Sequence, residues 1–335
     1  MTRFGATILD AEGLRLTAAE KAFFRRADPF GFILFDRNID SPDQVRALCS
    51  EMRTAVGREA PIMIDQEGGR VQRLGPPLWR KWLPPLAQVA QAGDNAARAM
   101  RLRYRLIAAE LHGLGIDGNC APLVDVAEPE THTFLKNRCY GYTAETVAEI
   151  GRAVADGLLS GGVLPVVKHI PGHGRARVDS HKGLPVVDAP EAELRAVDFA
   201  PFRALKDLPM GMTAHVTYAA IDPNPATLSP VMMQVIRRDI GFDGLIMTDD
   251  ISMQALAGTL PEIARATLVA GCDVVLHCNG TLAEREAVAE AAGRMGEAAQ
   301  TRAERALAAR KPPDEVDIHA LEALLDQMMQ GNADV

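Results

Sequence analysis

The chain has 335 residues, 47% of them hydrophobic and 24% charged, and a net charge of -8. That is ordinary globular material with enough apolar residues for a large core, and the acidic balance without a Lys or Arg block argues against a nucleic-acid partner. No unbroken apolar run reaches the length of a membrane span, and residues 1–13 lack the sections of a signal peptide, so no membrane association is expected.

Short apolar runs alternate with longer helix-like segments along the chain. The runs fall at residues 5–9, 30–35, 61–64, 118–126, 163–167, 210–214, 244–248 and 272–278. They are short, often β-branched and not alternating, as expected of parallel strands buried on both faces. After the second run, Ser41-Pro42-Asp43 opens an N-capped helix with proline in its first turn. Segment 75–85 is proline-rich and holds Trp79 and Trp82. It reads as an ordered surface excursion whose tryptophans pack the loop down, the alternative being that they stack on a sugar. Residues 143–159 and 190–205 have helical spacing. Beyond about residue 293 the chain is rich in Ala, Arg and Glu, which predicts one or two surface helices and a frayed end at 331–335. About eight strand–helix units predict a single α/β domain over 1–335, a (β/α)8 TIM-type barrel. The alternative, an open doubly wound sheet, lacks its strand–GxGxxG–helix fingerprint. Five cysteines (Cys49, Cys120, Cys139, Cys272 and Cys278) are an odd set without CxxC spacing. Cys120, Cys272 and Cys278 lie in apolar runs and read as buried thiols, and a reducing cytoplasm fits best.

In such a barrel the site lies at the C-terminal ends of the strands. Five runs end in ionisable groups: Asp65, followed by Arg73; Asp125; Lys168 and His169; His215; and Asp249 with Asp250. One charged residue at a strand end is unremarkable, because strand ends meet water. Five together point to a polar pocket. Adjacent side chains tend to diverge, so only one of Asp249 and Asp250 is expected to face it, and spacing does not choose between them. A carboxylate that attacks carbon must stay ionised, and Lys168 or Arg138 nearby is expected to lower its pKa.

The loop after the fifth run carries Gly172, His173, Gly174, Asp179 and His181. An imidazole can give and take a proton near neutral pH, and a carboxylate two residues away can orient it. Other readings are a solvated loop and a metal site built from His169, His173, Asp179 and His181. The HxH and HExxH arrangements are absent, and no metal is expected. Gly172 and Gly174 could form a phosphate-binding turn, but the P-loop pattern is absent.

Four stretches taken together, KHIPGHG followed by DSH, DQEGGRVQR at 65–73, NRCYG at 137–141 and TDDISM at 248–253, resemble the β-N-acetylhexosaminidases of glycoside hydrolase family 3. The likeness is closest to the bacterial cytoplasmic branch that recycles peptidoglycan, and it spans roughly residues 5 to 279. It implies a barrel with Asp249 as nucleophile, His181 as acid/base and Asp179 as its partner. Sugar-binding positions implied by the family fall on Asp65, Arg73, Arg138, Lys168 and His169. Thr248 stands where Ser is frequent and Ile170 where Phe is frequent; neither change removes a reacting atom. The expected activity is removal of terminal GlcNAc from muropeptides by a monomeric, cofactor-free, cytoplasmic enzyme. Its loop over 171–185, with two glycines near the base, could swing to bring His181 in. Competing readings are a phosphorylase on the same fold, a β-glucosidase, a metal-dependent amidohydrolase and a non-catalytic sugar-binding barrel.

Overall fold

The computed structural model describes residues 3–177 and 183–330. Eight strands follow the apolar runs: β1 (Gly5–Leu9), β2 (Pro29–Leu34), β3 (Ile62–Ile64), β4 (Gly118–Asn119), β5 (Leu164–Ile170), β6 (Met210–Thr213), β7 (Leu245–Met247) and β8 (Val275–His277). They pair in parallel in the order β7-β6-β5-β4-β3-β2-β1-β8. A bridge between Met247 and Val274, with the Thr248 N–H donating to the Val274 carbonyl at 3.1 Å, brings β7 to β8 and closes the ring. The chain is therefore the expected α/β barrel.

Successive strand side chains alternate between two environments. Ile33, Met63, Val166 and Met247 belong to one buried cluster, directed to the barrel axis. Leu34, Ile64, Val167 and Ile246 belong to the other, packed under the apolar faces of the surrounding helices. Both layers exclude water, which is why the runs read as continuous apolar sequence.

Local signals place most of the helices. The Ser41 side chain caps Pro42–Val56, and Gly57 ends that helix in the left-handed conformation. Thr143 caps Ala144–Ser160. Segment 190–205 differs from the single helix expected. Glu191–Glu193 passes into a π-wound stretch, Leu194–Asp198, before Ala200–Ala204 resumes. Pro201 has no N–H to donate back into the turn before it, and the Phe199 N–H reaches the Leu194 carbonyl at 2.9 Å, so the ladder widens there. The run at 118–126 is a continuous strand only over its first two residues, and beyond Pro122 it meets β5 again at a single Leu123–Lys168 bridge.

Trp82 is buried beside Arg103, and Trp79 packs on the core, so the tryptophans hold the 75–85 excursion down. The C-terminal part forms two helices, Glu297–Ala308 and Ile318–Gln330. All five cysteines are buried free thiols. No helix among the described residues is long and apolar enough to cross a membrane.

Candidate active site

Three of the five charged strand ends line one cavity at the C-terminal face of the barrel, while Asp125 and His215 contact His169 and the Asp250 carbonyl behind it. Asp65, Arg73, Arg138, Lys168, His169, His173, Asp249 and Asp250 all line it. The β5–β6 ladder slips between Val167 and Ile170, so the consecutive residues Lys168 and His169 both reach the cavity.

Asp65 follows β3 and accepts from Lys168 Nζ at 3.0 Å on one oxygen and from an Arg73 guanidinium nitrogen at 3.2 Å on the other. Burial pushes its carboxyl up, but the Lys168 and Arg73 charges outweigh that and hold it well below the usual range. Lys168 also forms an ion pair with Glu67 Oε1 at 2.6 Å. Burial favours the neutral amine, and the two carboxylates more than reverse that, so Lys168 stays charged. Glu67 receives Arg138 through a fork, Nε at 2.9 Å and Nη2 at 2.8 Å. Burial raises the Glu67 carboxyl, yet Arg138 and Lys168 bring it down to about 2.

Behind this cluster, Arg103 and Tyr104 donate to the Glu67 carbonyl. Gly68, at φ 101°, lies against Arg103; a Cβ there would fall 1.8 Å from a guanidinium nitrogen, so the turn admits only glycine.

Asp125 accepts from His169 Nδ1 at 2.8 Å and from the His173 backbone N–H at 2.6 Å. A carboxylate only accepts, so His169 carries its proton on Nδ1 and its Nε2 is left for a ligand. Burial pushes the His173 ring down to about 4, which keeps it neutral.

Asp249 and Asp250 both line the cavity, a correction to the expectation that only one faces it, and they differ in how their oxygens are used. Asp250 spends both oxygens on the turn: Ser252 N–H at 3.0 Å, Ser252 Oγ at 2.7 Å, Cys278 N–H at 3.3 Å and Asn279 Nδ2 at 3.2 Å. Asp249 accepts only the Asp250 N–H, at 2.8 Å, among the described residues. Burial raises its carboxyl, and His215 and His169 reverse this, helped by that N–H and then by Lys168, leaving it below the ordinary value. Of the two cations named as candidates for this, Lys168 acts on Asp249, while the Arg138 fork is engaged by Glu67. His215 donates from Nε2 to the Asp250 carbonyl at 3.1 Å, with Nδ1 2.8 Å from the Thr227 hydroxyl, and so braces the turn that carries Asp249.

Asp179 and His181 lie outside the described residues. The N-terminal base of their loop is described, and its two glycines sit where neighbours approach closely. A Cβ on Gly172 would press on Asp198, and one on Gly174 would meet the Val126 carbonyl oxygen at 1.9 Å. Arg175 adds ion pairs to Asp198, Glu128 and Glu193 at 2.7 to 2.9 Å. Among the described residues no three His, Cys, Asp or Glu side chains are placed to hold a metal ion.

Glu67 is the site residue that strand-end reasoning misses. It stands two positions beyond Asp65, inside the DQEGGRVQR stretch, and its partners are 71 and 101 residues away. A carboxylate followed by two glycines directly after a buried strand was the available signal.

Residues 10–309 match the glycosyl hydrolase family 3 N-terminal domain. A β-hexosaminidase from Methylococcus capsulatus is 41% identical over 278 residues, covering 81% of this chain and 82% of that protein. The solved structure of native NagZ from Neisseria gonorrhoeae superposes with a TM-score of 0.83 at 32% identity, covering 99% of this chain and 98% of that one. The same protein solved with N-trifluoroacetyl-D-glucosamine gives 0.83 at 31% identity, with the same coverage. Likeness of this extent makes the chain a member of glycosyl hydrolase family 3 and a glycoside hydrolase of the β-hexosaminidase type.

Proposed function

We propose that the protein is a retaining exo-β-N-acetylglucosaminidase that removes terminal GlcNAc from GlcNAc-1,6-anhydro-N-acetylmuramyl fragments during cell-wall recycling in the cytoplasm. The observation that carries the chemistry is Asp249: an ionised carboxylate at a strand end, one oxygen held by a backbone N–H, in the cavity that Asp65, Lys168 and His169 line. The relative's complex with an N-acylated glucosamine supports a sugar of that type in the cavity. The motif likeness and the match to NagZ support the recycling role.

In the first step an Asp249 oxygen attacks the anomeric carbon. The bond from that carbon to the aglycone oxygen breaks, and the departing oxygen takes the proton of His181, whose imidazolium Asp179 favours. In the second step water loses a proton to His181 and attacks the same carbon, releasing Asp249. Two inversions leave the configuration retained. Asp65, with each oxygen already holding one cation, has lone pairs left for sugar hydroxyls. Arg73, Arg138, Lys168 and His169 supply donors and an acceptor around the ring.

The decisive experiment incubates the enzyme with chromogenic β-GlcNAc and β-glucoside substrates, with and without phosphate and a chelator. Hydrolysis of the GlcNAc substrate alone, unaffected by both additions, is expected. A glycosyl phosphate product would replace this reading with phosphorolysis, and loss on chelation would replace it with metal chemistry. Mass spectrometry after a fluorinated glycosyl fluoride should place the trapped sugar on Asp249, and a label elsewhere removes the nucleophile assignment.

A further inference from the structure

Glu67 touches no solvent to speak of, its side chain being 1% exposed, and so meets no substrate directly. What it does follows from counting donors. Arg138 gives Nε and Nη2 to Glu67, which leaves Nη1 as its remaining nitrogen, and the residue lines the cavity. Lys168 has three N–H bonds. One goes to Asp65, while the ammonium as a whole is drawn to Glu67 at 2.6 Å, which fixes how it faces the cavity it lines. A single buried carboxylate thus engages two cations, Lys168 in β5 and Arg138 in the connection between β4 and β5, and sets how each faces the ligand.

The ion pairs also interlock. Arg73 pairs with Asp65, Lys168 with both Asp65 and Glu67, and Arg138 with Glu67, while Asp125 is paired to His169. Without Glu67, Arg138 would stand in the pocket with no ion-pair partner among the described residues, and in low dielectric that unpaired charge is strongly felt. Such a pocket attracts small anions, which would compete with a neutral sugar.

We propose that Glu67 is a positioning and specificity residue of the glycosyl site: it aims Arg138 and Lys168 and keeps the Arg138 charge paired, so that the site takes an uncharged glycosyl group and refuses inorganic anions. The inference rests on the glycosidase reading above. It adds a carboxylate that acts only through its neighbours. The depressed Glu67 carboxyl agrees with a permanently charged hub.

The test compares the wild type with Glu67→Gln and Glu67→Asp, measuring GlcNAc and sulfate binding by calorimetry, KM and kcat, and melting temperature. For the wild type, sulfate should neither bind measurably nor compete with substrate; strong competitive inhibition by sulfate overturns the proposal without any variant. Glu67→Gln removes charge at constant shape. Its KM and GlcNAc dissociation constant should rise about tenfold or more, as when a charge-assisted hydrogen bond is lost, with kcat falling less. Sulfate should now compete with the sugar, an effect that loosened packing would not create. Glu67→Asp keeps the charge but withdraws it, so it should lose sugar affinity without gaining sulfate affinity. Variants that bind GlcNAc as the wild type does, or that weaken without any sulfate distinction, overturn the proposal. A wild type that neither binds nor cleaves β-GlcNAc strikes at the proposed function instead, and is read separately.

Discussion

Both ends of the barrel carry buried carboxylates among arginines and lysines, yet they are put together differently. At the N-terminal end, Asp117, directly before β4, takes the Ile62 N–H at 2.7 Å on one oxygen and Arg53 at 3.0 Å on the other, which Arg310 shares. Asp273, before β8, does the same with the Ile246 N–H at 2.8 Å and with Arg237 at 2.5 Å and Arg302 at 3.0 Å. Asp28, before β2, binds Arg58 and Arg294. Each of these aspartates anchors arginines, and Asp117 and Asp273 also tie the opening N–H of a neighbouring strand. Arg302 and Arg310, from the C-terminal part of the chain, lock that face from outside. At the other end, Asp65, Asp249, Lys168 and Arg138 keep valences directed into a cavity. The same residue types therefore hold strands in register at one end and wait for a ligand at the other. The difference lies in whether the hydrogen-bonding capacity is used up.

That contrast breaks if a substitution at one end behaves like one at the other. The largest expected effect is Asp249→Ala, which should lower kcat/KM by about four orders of magnitude, the scale of a lost nucleophile, while the melting temperature stays within a degree or two. An active Asp249→Ala enzyme would end the assignment. Next comes Asp273→Asn, which keeps one acceptor but uncouples two partly buried arginines. It should cost about 2–3 kcal/mol in denaturant unfolding, below the value for a fully buried pair because the arginines are partly exposed. Its kcat/KM at a temperature where it is folded should equal the wild type's; a lowered value would mean that the two faces are coupled. Smaller still is Arg305→Ala, which removes an exposed pair with Asp243 and should shift stability by about 0.5 kcal/mol or less.

Strand positions were legible because barrel strands, dry on both sides, write themselves as unbroken apolar runs. The polar rim was legible because Asp65, Asp125, Lys168, His215 and Asp249 sit directly after those runs. What sequence could not supply was pairing. Lys168 or Arg138 is the cation expected to act on Asp249, and Lys168 does, but the pairing of both with Glu67 spans separations no local spacing encodes. His215 reads as one more pocket group, whereas its Nε2 supports the Asp250 carbonyl. Gly172 and Gly174 suggest mobility in a one-dimensional reading; in three dimensions the Asp198 and Val126 backbones press against them. The π-wound turn at Leu194–Asp198 needed Pro201 to be read as a missing donor instead of one residue in a helical pattern.

The finest contrast is in pH. Asp65, Glu67 and Asp249 have carboxyls held below their ordinary values, so the stability they contribute is complete above those values and is lost only as pH falls, for Glu67 between 4.5 and about 2. Between pH 7 and pH 5 they should change nothing. Glu110 lies away from the cavity, beneath the 75–85 excursion, and behaves oppositely. Burial pushes its carboxyl from 4.5 up to about 7, so the folded protein holds a proton there that the unfolded chain has released. The stability this adds is fully present below pH 4.5 and declines as pH rises through about 7. Melting temperature should therefore climb slightly as pH is lowered from 7 to 5. In Glu110→Gln that part of the slope should vanish, with kcat/KM at each pH left as in the wild type. An unchanged slope in the variant would show that Glu110 ionises alike in both states. A changed pH–rate profile would show that protonation outside the cavity reaches the chemistry within it.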